Sequence, residues 1–231
     1  MTPTRSDAAH DIHSPKASER LTRQAISPVG RQTPALADPW LNLHAIIPRS
    51  RANGPGVRTV IWFQGCSLGC PNCFNPQTHA DVPATILEVT DLMDSLKRSA
   101  GLIEGITISG GEPLQQSEGL LELLRRVRDT SRLSVILYSG YSLAEIQRMP
   151  LGCTILLQTD VLIDGRYVHS QRLGSAMRGS ANQRIHLLTD RYTLKELEAT
   201  APCEIQINSK GEVIVSGVRP VSIGPLPSDN T

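Results

Sequence analysis

The sequence predicts an α/β fold, and more narrowly an incomplete, laterally open (βα) barrel built on parallel strands. Short continuous apolar runs, typical of strands buried on both faces, alternate along the chain with segments whose apolar residues recur at helical spacing. This alternation is typical of a parallel sheet covered by helices. The patterned part of the chain is shorter than the roughly 250 residues of a full eightfold barrel, which favours an open one.

The predicted elements begin with a strand at Thr59–Phe63, an apolar run that ends just before the first cysteines. Apolar residues at helical spacing predict one helix within 84–99 and another around Leu120–Val127. Ile106–Ile108 and Leu133–Tyr138 are short runs of strand-forming residues. The remaining predicted elements are a helix at 142–148, strands at 154–157 and 184–188, a helix near 193–199, and a closing hairpin of Ile205–Ile207 with Val213–Val215.

Two segments outside this pattern are predicted to be unstructured. Residues 1–38 are rich in Ser, Thr, Pro, Ala and Arg and have no apolar periodicity, which predicts a disordered N-terminal extension. Acidic residues accompany its basic ones, unlike the composition of a targeting peptide. Residues 220–231 contain three prolines and predict a flexible C-terminal tail. The ordered domain is therefore predicted to span 39–219.

Composition excludes several classes of function. The net charge is +1 and only eight aromatic residues occur, so neither a basic surface nor a base-stacking platform for nucleic acid is expected. No apolar run approaches the roughly 18 residues of a membrane span, and the N-terminus lacks the apolar core of a signal peptide. The five cysteines do not have the even, spread-out arrangement of a secreted disulfide scaffold. We expect a cytoplasmic protein without nucleic-acid or membrane partners.

Three of the five cysteines lie within eight residues, at Cys66, Cys70 and Cys73. Three thiolates can hold three irons of a [4Fe–4S] cluster, which normally takes four, and the fourth iron is then open to a small molecule. A zinc site is an alternative, since His79 could complete a Cys₃His set. Zinc sites usually combine two paired turns across a longer spacer, which is not present here. A redox thiol motif is a further alternative.

Unusual residues follow three successive predicted strands. The cysteine loop follows the first strand, Gly110–Glu112 follows the second, and Ser139–Gly140 follows the third. In parallel sheets, functional groups gather where strands end and the chain turns into helices. These three segments are therefore expected to meet at one rim of the sheet.

The same segments resemble the radical S-adenosylmethionine enzymes, which have a cysteine triad after the first strand and a Gly-Gly-Glu-Pro turn after the second. The finer resemblance is to the activating enzymes of glycyl-radical proteins, and among these to the activases of anaerobic ribonucleotide reductase. It extends over residues 43–217. The matching segments are Asn53–Arg58, Gly65–Cys66, Cys70–Asn75, Ser109–Pro113, Ser139–Tyr141, Asp160–Gly165 and Arg178–Gln183.

The resemblance implies that Cys66, Cys70 and Cys73 ligate a [4Fe–4S] cluster whose open iron chelates S-adenosylmethionine through its amine and carboxylate. Glycine permits close approach of backbone to a ligand, which is the role expected beside it. The glutamate after the glycines is expected to accept hydrogen bonds from the ligand's ammonium. The implied cofactor contacts are Asn72 and Phe74 for adenine, Gly110, Gly111 and Glu112 for the methionine end, and Ser139 and Gly140 for the ribose and methionine portions.

The resemblance also implies a reaction. A one-electron donor such as flavodoxin or ferredoxin reduces the cluster, and S-adenosylmethionine is cleaved to methionine and a 5′-deoxyadenosyl radical. The radical then abstracts hydrogen from a backbone glycine of a partner glycyl-radical enzyme such as anaerobic ribonucleotide reductase. Two alternatives remain: a radical enzyme acting on a small metabolite or peptide, and a non-catalytic iron–sulfur or zinc interaction module. The compact length favours the activase, and the Gly-Gly-Glu-Pro turn disfavours the interaction module.

Overall fold

The structure, a computed structural model, describes residues 38–207 and 211–219. The predicted extension, apart from Asp38, and the predicted tail 220–231 lie outside the described residues. The strands are β1 (Trp40–Ser50), β2 (Arg58–Phe63), β3 (Thr85–Glu88), β4 (Gly105–Gly110), β5 (Ser134–Ser139), β6 (Val161–Asp164), β7 (Arg172–Ser175), β8 (Arg178–Ser180), β9 (Arg184–Leu187), β10 (Cys203–Ile207) and β11 (Val213–Gly217). The α-helices are α1 (Val89–Arg98), α2 (Ser117–Thr130), α3 (Leu143–Ile146), α4 (Gly152–Leu157) and α5 (Leu194–Glu198).

A seven-stranded sheet in the order β3-β1-β2-β4-β5-β6-β9 organises the domain. Its centre, β2-β4-β5-β6, is parallel, whereas β1, β3 and β9 join it antiparallel. The prediction of an α/β fold is confirmed, and the central strands are parallel as predicted, but the sheet as a whole is mixed. None of the antiparallel strands has the continuous buried run of the central ones: β1 mixes buried and exposed positions, and β3 and β9 are exposed or half-buried throughout. The apolar pattern therefore did not predict β1 and included β3 in a helical segment.

The region from 84 to 99 and the run at 154–157 differ from their predictions. The first contains the short strand β3 before α1 begins at Val89. The second is not a strand but helix α4, whose Leu157 is 78% exposed. The fourth parallel strand is instead β6, which is buried along its whole length. A short apolar run does not by itself distinguish a strand from a helix. The strand is formed by the next apolar run along the chain, Val161–Asp164, which lies between Asp160 and Gly165.

Helices α1 and α2 pack their apolar sides on the sheet and form most of the core with β1, β2, β4 and β5. Asp38, just before β1, is bound to both helices. It accepts a hydrogen bond from Thr90 N of α1 at 2.8 Å and pairs with Arg126 of α2. Among the described residues, none of the helices combines the length and apolarity needed to cross a bilayer.

The predicted closing hairpin is confirmed as β10–β11, in which Ile205 lies opposite Val215. The hairpin is a separate two-stranded sheet. It contacts the loop between β1 and β2 through Ser216 Oγ, which lies 3.3 Å from Ser50 Oγ and accepts from Asn53 Nδ2 at 3.1 Å. These contacts bring the end of β11 toward the cysteine loop.

Arg58, the last residue of the Asn-Gly-Pro-Gly-x-Arg segment, is fully buried beneath the start of the parallel strands. Burial lowers the pKa of its guanidinium, which is stabilised by neutral acceptors and by the more distant Asp160 and Glu104. The nearest acceptors are Thr107 Oγ1 at 2.8 Å, Pro55 O at 3.3 Å, Ser134 Oγ at 2.9 Å, Tyr192 Oη at 2.9 Å, Ile106 O at 2.6 Å and Ser134 O at 3.1 Å. The guanidinium thus joins β2, β4 and β5 at the edge of the sheet that lies away from the cysteines.

Replacing Arg58 with methionine is expected to lower the free energy of unfolding by at least about 3 kcal/mol. A hydrogen bond to a charged group contributes about 1.5–3 kcal/mol, and several are lost together while their acceptors remain buried. Arg125→Met, on the exposed side of α2, is the matched control and is expected to change stability by less than about 0.5 kcal/mol. Urea unfolding of both variants measures the difference. Equal midpoints for the two variants would show that the Arg58 network does not hold the strands together.

Candidate functional site

The loop that carries the three cysteines leaves β2 and is closed at its base by backbone hydrogen bonds. Gly65 N donates to Thr78 O at 2.8 Å, and Cys66 N donates to His79 O at 3.1 Å. Thr78 is buried, and its hydroxyl donates to Asn75 O at 2.8 Å. The closed base fixes where the loop begins and ends, so that its thiols project from the end of β2 into a common space.

All three thiols line one cleft, are half-buried and form no disulfide. Burial raises the pKa of Cys66, and the charges of Glu112, Cys73 and Cys70 raise it further. Burial likewise raises the pKa of Cys73, with Cys70 adding to the effect. The mutual effect shows that the thiols are close to one another. Thiols of this kind stay protonated until a metal replaces the proton.

The donor set fits an iron–sulfur cluster. Within 38–207 and 211–219, no three Cys, His, Asp or Glu side chains converge closely enough to hold a single metal ion. The three thiols instead share the wall of a cleft, an arrangement in which each can bind its own iron of a cluster. The same wall includes His79, whose Nε2 atom is buried without a hydrogen-bond partner. A buried polar atom without a partner is compatible with a group that the protein alone does not supply.

The cleft encloses roughly 870 Å³ of non-atom space, including its open mouth, and the ends of β2, β4, β5 and β6 border it. The structure brings together nearly every residue that the sequence indicated. Those residues are Cys66, Cys70, Cys73, Phe74, Gly110, Gly111, Glu112, Ser139 and Gly140.

Asn72 lies elsewhere: it lines an adjacent outer cleft rather than the cleft with Glu112. Its φ of 52° is in the left-handed region, which asparagine tolerates better than most residues. This residue stands in the short turn between Cys70 and Cys73, and it is not among the residues that line the inner cleft. The left-handed backbone is one reason for an asparagine at this position, and the expected adenine contact of Asn72 stays a prediction.

Close contacts between backbone segments explain why the two positions at the end of β4 are glycines, independently of the expected approach to a ligand. A Cβ on Gly110, whose φ is 108°, would collide with the backbone of Phe63, and one on Gly111 would collide with Gly65 O. Hydrogen bonds hold the same contact, since Gly111 N donates to Phe63 O at 2.8 Å and Glu112 N donates to Gly65 O at 2.9 Å. The glycines let the end of β4 lie directly against the start of the cysteine loop.

Glu112 connects three segments of the rim and is only 1% exposed. Its Oε1 accepts from Leu114 N at 3.0 Å and Ser139 Oγ at 3.0 Å, and its Oε2 accepts from Gly140 N at 2.8 Å. Burial raises the pKa of its carboxyl to about 7, although these hydrogen bonds favour the charged form. The carboxylate is thus bound to its own chain at the ends of β4 and β5. Oε2, with a single donor, keeps acceptor capacity toward the cleft.

Of the residues just beyond β6, Tyr167 lines the cleft and Arg166 contacts its rim at Gly140 O, and the sequence indicated neither. Arg166, just beyond β6, pairs with Glu145 at 3.1 Å, and its guanidinium lies 5.5 Å from the centre of the Tyr141 ring. The pKa of Arg166 is raised chiefly by Glu145, with a smaller contribution from Cys70. Tyr167 follows it and meets Phe74 edge to face, with ring centroids 6.1 Å apart. Had the fourth parallel strand been placed at β6, the rule that functional groups follow strand ends would have indicated Arg166 and Tyr167.

The outer cleft continues from the inner one, with which it shares Trp62, Cys73, Phe74, Asn75, Tyr167 and Gly217. Polar, basic and apolar side chains from different elements form its remaining wall. They include His169, Arg172, Val215 and Arg219. The β10–β11 hairpin therefore contributes to both clefts.

Comparison with known proteins agrees with this arrangement. Residues 52–186 match the family described as a 4Fe-4S single cluster domain. The anaerobic ribonucleoside-triphosphate reductase-activating protein of Escherichia coli K12 is 31% identical over 155 residues, which cover 64% of this chain and 99% of that protein. The protein of the same name from Vibrio cholerae is 32% identical over 156 residues, covering 64% of this chain and 99% of that protein. The pyruvate formate-lyase-activating enzyme of Clostridium pasteurianum is 34% identical over 131 residues, 54% of this chain and 52% of that enzyme. The chain belongs to the 4Fe-4S single cluster domain family, within the group of anaerobic ribonucleoside-triphosphate reductase-activating proteins.

Proposed function

We propose that this protein is an activase that generates a glycyl radical on a partner enzyme of the anaerobic ribonucleotide reductase type. The observation that carries the proposal is the common cleft of Cys66, Cys70, Cys73 and Glu112. It combines three free thiols with a buried carboxylate at the ends of adjacent parallel strands. We further propose that the seven-stranded sheet corresponds to the laterally open barrel of the radical S-adenosylmethionine enzymes, with its opening on the side of this cleft.

The three thiolates would hold a [4Fe–4S] cluster, leaving one iron for the amine and carboxylate of S-adenosylmethionine. When bound and reduced by one electron, the cluster supplies the reductive cleavage of this sulfonium to methionine and a 5′-deoxyadenosyl radical, which takes a hydrogen atom from glycine Cα. The electron donor is proposed to be a flavodoxin or a ferredoxin.

The protein's own residues bind and orient the ligand. Ser139 and Gly140 are positioned by Glu112, and their segment borders the space proposed for the ribose and methionine portions. The free acceptor capacity of Glu112 Oε2 is directed to the ligand's ammonium. Phe74 borders both clefts and is the proposed adenine contact, while Asn72 can contact only a group that extends into the outer cleft.

The outer cleft is the proposed route for the partner's glycine-bearing segment. It opens from the cluster loop past Tyr167 to Arg172 and Arg219, and the hairpin residue Val215 forms its far side. An activase needs such a route because its target glycine belongs to a polypeptide rather than to a diffusible small molecule.

We expect anaerobically reconstituted protein, mixed with S-adenosylmethionine, dithionite and the reductase of the same organism, to produce a glycyl-radical signal in electron paramagnetic resonance. The radical should appear together with about one 5′-deoxyadenosine per radical. Omission of the reductase or of S-adenosylmethionine provides the control. Rapid 5′-deoxyadenosine formation with a small metabolite or peptide, and no protein radical with the reductase, would instead support the alternative enzyme class.

A further inference from the structure

His79 stands at the closing end of the cysteine loop, beside the first cysteine. Its backbone oxygen accepts from Cys66 N at 3.1 Å, which pairs the two residues across the base of the loop. Its side chain lines the inner cleft together with the three thiols. The position of His79 is therefore fixed relative to Cys66 by the backbone itself.

The imidazole has a nitrogen without a partner. His79 Nε2 is buried and makes no hydrogen bond to the protein. Leaving a buried donor or acceptor unsatisfied is costly, so such atoms in native proteins generally meet water, an ion or a ligand. Glu112, the buried carboxylate of the same cleft, makes its hydrogen bonds to Leu114 N, Ser139 Oγ and Gly140 N and none to His79 Nε2. The unpartnered nitrogen is thus best matched by the group that the thiols bind.

We propose that His79 Nε2–H donates a hydrogen bond to a sulfur of the bound cluster on its Cys66 side, and that this bond raises the cluster's reduction potential. The inference rests on the cluster-binding part of the proposed function. Hydrogen bonds to cluster sulfurs withdraw negative charge from them and favour the reduced, more negative state. His79 is a positioning residue in this account, and the electron still comes from the external donor.

The proposal makes a specific redox prediction. In reconstituted His79→Ala, the one-electron reduction equilibrium of the cluster should become roughly tenfold less favourable, which corresponds to a potential lower by about 59 mV. His79→Gln places an amide N–H near the position of Nε2 and should restore most of the difference. His186→Ala, which changes a half-buried histidine of β9 that lines neither cleft, should leave the potential unchanged.

Potentials are measured by anaerobic redox titration of the cluster's electron paramagnetic resonance signal, without S-adenosylmethionine and without a partner. A second measurement is made on the parent protein itself: pulsed electron paramagnetic resonance of the reduced protein labelled with ¹⁵N-histidine. A weak nitrogen coupling, absent in His79→Gln, is expected for a hydrogen-bonded imidazole.

The outcomes separate this inference from the proposed function. A full cluster whose potential is the same in His79→Ala and the parent, or a parent without histidine coupling, overturns the inference alone. A strong coupling, typical of nitrogen bound directly to iron, overturns it in favour of His79 as a ligand. Failure of the parent protein to assemble any cluster overturns both the inference and the proposed function.

Discussion

Replacement of Cys66, Cys70 or Cys73 by alanine is expected to reduce the iron and sulfide content of reconstituted protein from about four of each to nearly zero. Each thiolate binds one iron of the cluster, and a chain with only two of the three ligands cannot retain it. Iron and acid-labile sulfide analysis, together with Mössbauer spectroscopy, measures the effect.

The remaining cysteines provide matched controls. Cys153 is exposed on α4 and Cys203 is half-buried on β10, and neither lines the cleft. Cys153→Ala and Cys203→Ala should therefore retain a full cluster. Stoichiometric zinc without iron in the parent protein, or a full cluster after loss of Cys70, would contradict the assignment of these ligands.

Replacement of Glu112 by alanine is expected to have the second largest effect, on both stability and ligand binding. Its loss leaves Leu114 N, Ser139 Oγ and Gly140 N without their acceptor in a buried site. Each unsatisfied donor costs about 1–3 kcal/mol, so the free energy of unfolding should fall by at least about 3 kcal/mol. Affinity for S-adenosylmethionine should fall by about 10- to 100-fold, because the charge-assisted bond to the ammonium is lost as well.

Glu112→Gln separates these contributions, since it keeps one acceptor oxygen and the shape of the side chain but removes the charge. It should recover part of the stability but little of the affinity. Urea unfolding and titration of the reduced cluster's paramagnetic signal with S-adenosylmethionine measure the two quantities. An affinity equal to that of the parent in Glu112→Ala with an intact cluster would show that the ligand does not contact this carboxylate.

The raised pKa of Glu112, about 7, gives both quantities a pH dependence with a defined sign. The folded protein holds this proton more tightly than the unfolded chain, whose carboxyl has an ordinary pKa near 4.5. The contribution of Glu112 to stability is therefore fully present below about pH 4.5 and decreases as pH rises toward 7. The ammonium of the ligand favours the ionised carboxylate. The affinity of the protein for S-adenosylmethionine should therefore increase with pH across the same range and level off above 7. Glu112→Gln should abolish this dependence.

The sequence predicted the site better than the sheet around it. The cysteine loop, Gly110–Glu112 and Ser139–Gly140 each follow a strand whose apolar run is unmistakable, and the rule for parallel sheets was enough to bring them to one rim. The error at 154–157 had a further consequence. With the fourth strand placed there, Tyr167, which lines the cleft just beyond β6, was not recognised as part of it.

Other features depend on contacts between segments that are distant in sequence. The glycines after β4 suggested close approach to a ligand, but they are packed against Phe63 and Gly65. Glu112 was expected to accept from the ligand's ammonium, and it also accepts from three donors of its own chain. The contribution of the β10–β11 hairpin to the clefts likewise follows from the contacts of Ser216 with Ser50 and Asn53. None of these partners can be read from local periodicity or motif spacing.

The central claim is that this protein removes a hydrogen atom from a glycine of its partner. The most direct measurement uses reductase produced with α-dideuterated glycine, incubated with the reduced protein and S-adenosylmethionine, followed by mass spectrometry of the released 5′-deoxyadenosine. The account predicts one deuterium in the 5′-deoxyadenosine and a glycyl radical that loses its α-hydrogen splitting. Unlabelled 5′-deoxyadenosine formed in amounts equal to the radical would contradict it.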